Sequence, residues 1–363
     1  TDGNLNNHLG VPLTLLKLRP GQRYAVVEMG MSARGEIAYL VSLARPDVGV
    51  ITNVGPAHLE TLGTLENIAR AKGELFTGLL DGATAVYLQG PGHILVQQEA
   101  VRASVLSGRL RNFAALSLRP REASSESLPQ KPSAGCSVTV QLLHEGEDGL
   151  SLSLTFPSLP VGQQTLTAEL PLLGAHQADN AALAAAAALA LDVAPAHIAA
   201  GLARALPGKH RGQVQILAGR RVLDDCYNAN PASMAAALRT LGALHKPGRA
   251  IAVLGDMLEL GPTELQLHSE IGEVVAEVKV ALLITVGQRA AHIAATATKR
   301  GVTTLAAADA EAAAQALLAR TEPGDWILLK GSRGMALEGV LDRFRALCAN
   351  GTEAAPAADQ GMH

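Results

Sequence analysis

Short apolar runs alternate with helix-like segments along most of the chain, and this rhythm constrains the fold more than any other feature. Runs such as DVGVITNV (Asp47–Val54) and AIAVLG (Ala250–Gly255) have the length of strands and no regular polar alternation. Such runs are typical of parallel strands that helices cover on both faces, so the sequence predicts an α/β fold. The predicted buried strands are Tyr24–Glu28, Asp47–Val54, Thr84–Leu88, Arg221–Asp225, Ala250–Gly255, Ala281–Val286 and Trp326–Lys330.

A Leu-Pro-Gly break at Leu206–Gly208 divides the chain into two predicted domains. Residues 1–207 combine the first parallel strands with antiparallel strands joined by polar turns, and residues 208–350 repeat the strand–helix rhythm of a doubly wound, dinucleotide-fold domain. The polar segment Arg119–Ser133 is predicted to be a surface loop or insertion, and residues 351–363 a flexible tail. The predicted antiparallel strands are Ser137–Leu143, Leu150–Phe156 and Thr165–Leu170.

The composition narrows the class of protein. Hydrophobic residues make up 48% of the chain and charged residues 17%, so a large core is expected and disorder is not. A net charge of -3 and 2% aromatic residues argue against nucleic-acid binding, which uses basic surfaces and stacking platforms. The three cysteines lack zinc-site or disulfide spacing, and no apolar run reaches the length of a membrane span. We therefore expect a cytoplasmic protein without membrane insertion.

Polar residues suited to chemistry follow the first predicted strands. Glu28 closes the run YAVVE, where a carboxylate can bind Mg²⁺, although an acid at a strand end is often merely solvated. His58 lies in the turn after the second strand, and a loop histidine is usually structural or solvated. Lys72 lies on a predicted helix, so it either extends along the surface to solvent or is held near a metal site where its charge is modified. The residues alone leave these alternatives open.

Further polar clusters occupy a helix start and the turns after later strands. Asn180 shares a face of an Ala-rich helix with His176, and it either reads a nucleobase or satisfies the helix start. The string DDCYNANP has more hydrogen-bonding groups than a strand–turn–helix junction needs, which favours a binding function. GDMLELG repeats the strand-end acid, and KGSRG places two cations before a helix, as in an anion site. Together these clusters predict a cleft between two α/β domains.

In chain order, the strings GNLNN, NVGPAHLE, AKGELF, DDCYNANPASM, GDMLELG and LLKGSRGMALE resemble the Mur ligase family, and YNANP with KGSR is similar to its D-alanyl-D-alanine-adding branch. The resemblance implies a central ATPase domain over residues 1–207, with a mainly parallel sheet flanked by helices plus a small antiparallel sheet. It implies a Rossmann-like domain over residues 208–350. The family's phosphate loop, a GKT or GKS string, does not occur in the sequence. We expect the loop to precede Thr1, and we expect this chain alone to be inactive.

The resemblance also implies an activity, namely ATP-dependent ligation of D-alanyl-D-alanine to UDP-N-acetylmuramoyl-tripeptide through an acyl phosphate, in peptidoglycan precursor synthesis. It implies a monomer that uses ATP and a pair of Mg²⁺ ions. The implied metal-binding residues are Glu28, His58 and a carbamylated Lys72, and the implied catalytic residues are Lys72, His58 and Arg211. The implied ATP-binding residues are Asn180, Asp225, Tyr227, Arg211 and Lys209. The implied substrate-binding residues are Asn6, Asn7, Asn228, Asn230, Lys330, Ser332 and Arg333.

One departure from the family pattern and two alternative functions stay open. The segment PGKHRGQ (Pro207–Gln213) stands where the family commonly has Pro-Gly-Arg, so Arg211 is the expected phosphate contact and Lys209 the alternative. Another Mur-fold amide ligase, of folylpolyglutamate or cyanophycin synthetase type, would share the metal-site motifs but not YNANP together with KGSR. A non-catalytic Mur-fold interaction protein would keep the fold without the phosphate loop.

Overall fold

In the described part of the chain, a six-stranded sheet forms the centre of each of two compact units, Thr1–Ala205 and Leu206–His363. The computed structural model describes residues 1, 3–56, 59–89, 99–118, 136–156 and 162–353. The predicted site residue His58, the predicted loop Arg119–Ser133 and the tail after Glu353 lie outside the described residues. Each unit has the α/β architecture that the sequence predicts.

One mixed sheet organises the first unit. Its strands are β1 (Val48–Ile51), β2 (Thr84–Leu88), β3 (Arg111–Leu118), β4 (Cys136–Gly146), β5 (Gly149–Phe156) and β6 (Gln164–Leu170), in that order across the sheet. Its helices are α1 (Gly10–Leu16), α2 (Glu36–Ala44), α3 (Leu59–Leu62), α4 (Leu65–Gly78), α5 (Glu99–Leu106), α6 (Gln177–Ala190) and α7 (Pro195–Leu202). Strands β1 to β4 run parallel, and β4, β5 and β6 pair antiparallel. The predicted antiparallel strands thus extend the parallel sheet rather than form a separate one.

The alanine-rich helix α6 covers the centre of this sheet. Ala178, Ala182, Ala185 and Ala186 are fully buried, and the helix packs against β2, β3 and β4. Alanine is the strongest helix former and loses no rotamer freedom, so this run both forms the helix and allows close approach to the strands. The packing fixes the first turn of α6, which carries Asn180.

A largely parallel sheet organises the second unit. Its strands are β7 (Gln213–Leu217), β8 (Arg220–Asp224), β9 (Ala250–Gly255), β10 (Leu282–Val286), β11 (Thr303–Ala307) and β12 (Trp326–Lys330). Its helices are α8 (Pro231–Leu244), α9 (Glu264–Glu277), α10 (Ala290–Lys299), α11 (Ala310–Arg320) and α12 (Glu338–Glu353). The strand order is β11-β10-β9-β12-β8-β7, and only the pairing of edge strand β7 is antiparallel in the ladders described. Every residue of β9, β10 and β12 is buried, so helices cover both faces.

Strand β12 comes last in the chain but lies between β8 and β9 in the sheet. The turns after β8 and β9 therefore begin on either side of β12, at the carboxyl edge where ligands of such sheets bind. Asp225 follows β8, Asp256 follows β9, and Lys330 ends β12. The topology therefore gathers three ionisable residues at one edge of this unit.

The predicted strand bounds are confirmed at Thr84–Leu88, Ala250–Gly255 and Trp326–Lys330. The predicted strand Tyr24–Glu28 is wrong, because the structure assigns no strand to that segment. Val26 within it is 85% exposed. An apolar run becomes a strand only where a neighbouring strand pairs with its backbone N–H and C=O groups. The residue types of the run do not show whether such a neighbour is present.

The sequence analysis does not predict strands β3 and β11 or helix α5. Both strands contain consecutive alanines, Ala114–Ala115 and Ala306–Ala307, which favour helix over strand in isolation. Pairing with β2 and β10 decides their conformation instead. The final helix continues to Glu353, so the first three residues predicted to belong to the flexible tail, 351–353, are helical.

Two further observations concern the environment of the chain. No helix among the described residues is long and apolar enough to span a membrane. Cys226 and Cys348 are buried thiols outside any disulfide. Buried thiols are compatible with the cytoplasmic location that the sequence predicts.

Candidate functional site

Glu28 is held by the first residues of the chain. Its Oε1 accepts a hydrogen bond from Nδ2 of Asn6 at 2.9 Å, and its backbone N–H donates to Oγ1 of Thr1 at 2.8 Å. The backbone N–H of Gly30 donates to the Asn6 carbonyl at 2.8 Å. A Cβ at Gly30 would lie 3.1 Å from the Asn6 amide, so glycine permits this close approach. The Glu28 carboxylate remains exposed and offers the hard oxygen donors that Mg²⁺ prefers.

Lys72 extends from helix α4 to the turn after β1. Its Nζ donates to the carbonyl oxygen of Asn53 at 2.8 Å, and burial lowers the pKa of its amine. On the same helix, the Glu74 carboxylate accepts backbone N–H bonds from Gly35 at 2.8 Å and from Ala38 at 3.2 Å. Glu74 therefore caps the first turn of helix α2, where a negative charge is favourable. Helix α4 therefore holds α2 in place through Glu74 and directs Lys72 to the turn after β1.

Two of the predicted ligand-binding asparagines contact their own helices. Oδ1 of Asn7 accepts backbone N–H bonds from Leu9 at 3.1 Å and Gly10 at 2.9 Å, at the start of α1. Nδ2 of Asn180 donates to Oε1 of Gln177 at 2.8 Å within the first turn of α6. Asn180 is nevertheless exposed. The predicted contacts of Asn7 with the UDP-linked substrate and of Asn180 with adenine stay predictions.

An ion pair joins the carboxyl ends of β8 and β12 in the second unit. Nζ of Lys330 lies 2.6 Å from Oδ2 of Asp225, and it also donates to the carbonyl oxygens of Asn228 at 3.1 Å and Asp225 at 3.4 Å. Lys330 is 3% exposed, and these contacts engage all three ammonium protons. The lysine therefore orients Asp225 and the turn after β8.

Two polar residues of the YNANP and KGSR strings stabilise the turns themselves. Oδ1 of Asn230 accepts the backbone N–H of Ser233 at 2.9 Å in a capping box that begins α8. Oγ of buried Ser332 accepts from the backbone N–H of Leu258 at 2.8 Å and donates to the Ala229 carbonyl at 3.3 Å. These bonds explain much of the polar density by local structure, and the substrate contacts predicted for both side chains stay predictions.

Exposed cations flank the same edge of the second unit. The Arg211 guanidinium carbon lies 3.9 Å from the ring centroid of Tyr227, a stacked cation–π arrangement. Arg333 is 57% exposed, and its guanidinium pairs with Glu338 at 2.7 Å, while its backbone N–H contacts Oδ1 of Asn228 at 3.4 Å. Lys209 is exposed as well. The described contacts therefore place fixed, solvent-facing guanidinium groups in this unit, suited to anions.

The sequence profile of the Mur ligase middle domain matches residues 1–188, more than half of the chain. The chain belongs to the Mur ligase family. A second profile, described as the Mur ligase glutamate ligase domain, matches residues 210–333. The family resemblance predicted from the ordered motifs is confirmed.

Three of the similar proteins come from one branch of the Mur ligases. The UDP-N-acetylmuramoyl-tripeptide–D-alanyl-D-alanine ligase of Escherichia coli (strain K12) is 35% identical over 354 residues, which cover 97% of this chain and 71% of that protein. A crystal structure of MurF from Acinetobacter baumannii matches with a TM-score of 0.79 and 30% identity, over 95% of this chain and 70% of that one. The MurF ligase of Thermotoga maritima in complex with ADP matches with a TM-score of 0.74 and 26% identity, over 96% and 73% of the two chains.

The potential metal donors of this Mur ligase differ in chemistry. Glu28 offers carboxylate oxygens, which fit Mg²⁺, whereas Lys72 offers oxygen only once it is carbamylated. The described residues also contain a cluster of His210, Asp224 and Cys226 with all donor atoms within 4.8 Å of one another. Burial and the neighbouring Asp224 raise the pKa of the Cys226 thiol, which therefore stays protonated and donates to Asp224. A protonated thiol and an imidazole do not fit Mg²⁺, and hydrogen bonds to Asp224 join both groups into one network.

Sequence reasoning missed several of the residues that organise these sites. Asp224 and Asp225 are consecutive at the end of β8, and side chains alternate between the faces of a strand. Asp225 pairs with Lys330, whereas Asp224 pairs with His210. The alternation of side chains along a strand could have indicated that the two adjacent aspartates have different partners. No sequence pattern could have indicated that Glu74 caps α2, because its partners lie more than thirty residues earlier in the chain.

Proposed function

We propose that this Mur ligase joins D-alanyl-D-alanine to a UDP-N-acetylmuramoyl-tripeptide at the expense of ATP. The observation that carries the proposal is the 35% identity, over 97% of the chain, to a ligase named for that reaction. The exposed Glu28 carboxylate, the half-buried amine of Lys72 and the stacked guanidinium of Arg211 also support the proposal. The reaction belongs to peptidoglycan precursor synthesis.

The proposed reaction has two steps. A terminal carboxylate oxygen of the tripeptide attacks the γ-phosphorus of ATP, and ADP leaves, which gives an acyl phosphate. The amine of D-alanyl-D-alanine then attacks the acyl carbon, and inorganic phosphate leaves with the original carboxylate oxygen while the amine loses a proton. Positioning and charge stabilisation dominate both steps, because charge accumulates first on phosphoryl oxygens and then on the tetrahedral carbon.

The first unit is proposed to hold Mg²⁺ through Glu28, His58 and a carbamylated Lys72. Bound Mg²⁺ would neutralise phosphate charge and polarise the transferring phosphoryl group. Burial lowers the Lys72 pKa, so more of its amine is neutral, and the neutral amine is the form that combines with CO₂. The resulting carbamate would exchange a cation for an oxygen anion. Asn180, exposed on α6, is proposed to contact adenine.

The second unit is proposed to complete the nucleotide and acceptor contacts. Asp225 is held by Lys330 and would accept ribose hydroxyls, while Arg211 stacked on Tyr227 would meet phosphate oxygens, with Lys209 as the alternative cation. Exposed Arg333 is proposed to receive the carboxylate of the incoming dipeptide. Lys330 would support that site indirectly, since its own donors are engaged.

We propose Asn6 and Asn7 as contacts for the UDP-linked substrate, and Asn228, Asn230 and Ser332 as residues that shape the acceptor side. We also propose that the protein works in the cytoplasm as a monomer. The buried thiols Cys226 and Cys348, which form no disulfide, support this location. Light scattering of the purified protein would test the oligomeric state.

An acceptor panel tests the proposed function. The protein expressed from its complete gene is incubated with ATP, Mg²⁺, UDP-N-acetylmuramoyl-tripeptide and one amino acceptor, and products are identified by mass. We expect D-alanyl-D-alanine to be ligated and single amino acids to be poor acceptors. Preferential ligation of glutamate would instead support a folylpolyglutamate synthetase type of ligase. An absence of nucleotide-dependent ligation with every acceptor would support a non-catalytic protein.

A further inference from the structure

The turn that enters the second unit has an unusual backbone. His210 adopts φ +57° and Gly212 adopts φ +72°, so left-handed residues stand on both sides of Arg211. Left-handed backbone is strained for a histidine, and such strain persists only where surrounding contacts fix it. The backbone N–H of Arg211 also donates to the Gly208 carbonyl at 3.1 Å, which closes the turn. This short segment therefore directs Arg211.

Contacts on both sides of His210 fix that backbone. Its Nδ1 lies 2.7 Å from Oδ2 of Asp224 at the end of β8, and its carbonyl oxygen accepts the backbone N–H of Tyr227 at 3.0 Å. Its own backbone N–H contacts Oε1 of Gln213 at 3.4 Å. One residue therefore joins the turn to the strand end and to the backbone of the aromatic residue on which Arg211 stacks.

Asp224 is a rigid partner for this histidine. It is fully buried, and its Oδ1 accepts the Cys226 thiol at 2.9 Å. With one carboxylate oxygen bound to the thiol and the other to the imidazole, the carboxylate has little freedom to rotate. A buried carboxylate without these donors would destabilise the folded state. The hydrogen bonds among the three side chains therefore hold each of them in place.

We propose that His210 is a positioning residue whose hydrogen bond to Asp224 holds Arg211 stacked on Tyr227, ready to contact a phosphate group. The ligand class rests on the proposed nucleotide-dependent function, whereas the positioning itself rests on the contacts of the second unit alone. Stacking leaves the edge of the guanidinium free to donate to oxygen anions while the ring covers one face. A preorganised guanidinium loses less entropy when the anion binds.

Two substitutions separate the hydrogen bond from the backbone conformation. Glycine accepts a positive φ without strain, so His210→Gly keeps the turn and removes the donor. Asparagine also tolerates the left-handed region, and its amide can donate where Nδ1 of histidine does, so His210→Asn keeps both. The matched pair therefore differs in the hydrogen bond to Asp224 and not in the demand on the backbone.

The first measurement is independent of catalysis. Ring currents from Tyr227 shift the NMR signals of the Arg211 side chain, which Arg211→Lys identifies by their loss. We expect His210→Gly to move these signals toward those of a free arginine and His210→Asn to retain them. Unchanged Arg211 signals in His210→Gly would overturn the proposal. One zinc ion per chain in the purified parent, lost in Cys226→Ser, would overturn it too, because the cluster would then be a metal site.

The second measurement tests the ligand class by steady-state kinetics. We expect His210→Gly to raise the KM for ATP about 10- to 100-fold, the loss expected for a charge-assisted hydrogen bond, with a smaller change for D-alanyl-D-alanine. We expect His210→Asn to stay within about threefold of the parent. If Arg211→Ala leaves the KM for ATP unchanged, the phosphate role of the proposed function fails, and displaced Arg211 signals in His210→Gly would still support positioning.

Discussion

Lys330 and Asp225 lie at the carboxyl ends of adjacent parallel strands, and their side chains form an ion pair of 2.6 Å with the lysine almost fully buried. Two backbone carbonyls accept the remaining ammonium protons. A lysine with these three contacts cannot donate a hydrogen bond to an incoming carboxylate without losing one of its present hydrogen bonds. Its contribution to a ligand site is therefore to fix Asp225 and the turn that leads to Tyr227.

Replacing Lys330 by methionine should destabilise the second unit. The substitution keeps most of the side-chain stem but leaves a largely buried carboxylate without its cation, which we expect to cost about 2 kcal/mol. Urea unfolding followed by Trp326 fluorescence reports this unit, because Trp326 is the single tryptophan of the chain. Lys299→Met, at an exposed position on α10, is the control. Equal unfolding midpoints for the two variants would contradict the account.

Loss of Lys72 should abolish the proposed carbamate. Lys72→Arg keeps a cation but cannot react with CO₂, so we expect kcat for ligation to fall on the order of 100-fold or more, as loss of a metal ligand implies. The same carbamate should appear in the parent as a ¹³C NMR signal after incubation with ¹³C-bicarbonate. Lys299→Arg should retain both the signal and the activity. Full activity of Lys72→Arg would rule out a catalytic carbamate.

Asn230 should matter more for the fold than for substrate affinity. Asn230→Ala removes the cap of α8 and should lower the free energy of unfolding by about 1 kcal/mol. Asn230→Ser restores an oxygen acceptor at the same position, so stability should return close to that of the parent. Kinetic constants for the acceptor should be unchanged in Asn230→Ser. A raised KM for D-alanyl-D-alanine in that variant would show that Asn230 binds substrate.

The second unit should lose stability in mild acid because of His268. Burial lowers its pKa, and its Nε2 accepts the backbone N–H of Met257 at 2.9 Å, so a proton there would disrupt the site. The unfolded chain binds that proton near its ordinary pKa of about 6.5, so the contribution to stability is complete above that pH and declines as pH falls toward the lowered folded value. Urea midpoints at about pH 7.5 and about pH 5.5 measure the loss.

Variants of two histidines assign this acid sensitivity. His268→Gln carries no titratable group, so the difference between the two urea midpoints should shrink. His292→Gln, on helix α10, should keep the pH dependence of the parent. An identical pH dependence in His268→Gln and the parent would assign the effect to another group.

The α/β class and the buried central strands could be predicted because their residues are apolar, apart from Thr285 in β10 and Lys330 at the end of β12. The residues of β9 and β12 are sufficient to indicate a buried strand, and the predicted bounds match the observed ones. Strands β3 and β11 form because they pair with neighbouring strands. Their consecutive alanines do not favour strand, so the sequence did not predict them. Tyr24–Glu28 shows the converse, since apolar residues without a pairing partner form no strand.

For the candidate site, motifs located the residues but not their partners. Asn230 and Ser332 were expected near the substrate, and their described contacts are a helix cap and a link between turns. Lys330 is predicted to bind substrate, and its described contacts are the Asp225 carboxylate and two backbone carbonyl oxygens. Hydrogen-bonding capacity is visible in sequence, but its use is set by which groups the fold brings within about 3 Å.

One isotope experiment tests the central claim of acyl-phosphate ligation most directly. UDP-N-acetylmuramoyl-tripeptide labelled with ¹⁸O in its terminal carboxylate is incubated with ATP, Mg²⁺, D-alanyl-D-alanine and the protein expressed from its complete gene. The account predicts a UDP-linked pentapeptide, ADP, and inorganic phosphate that carries one ¹⁸O from the tripeptide. Unlabelled phosphate, or the release of AMP and pyrophosphate, would contradict it.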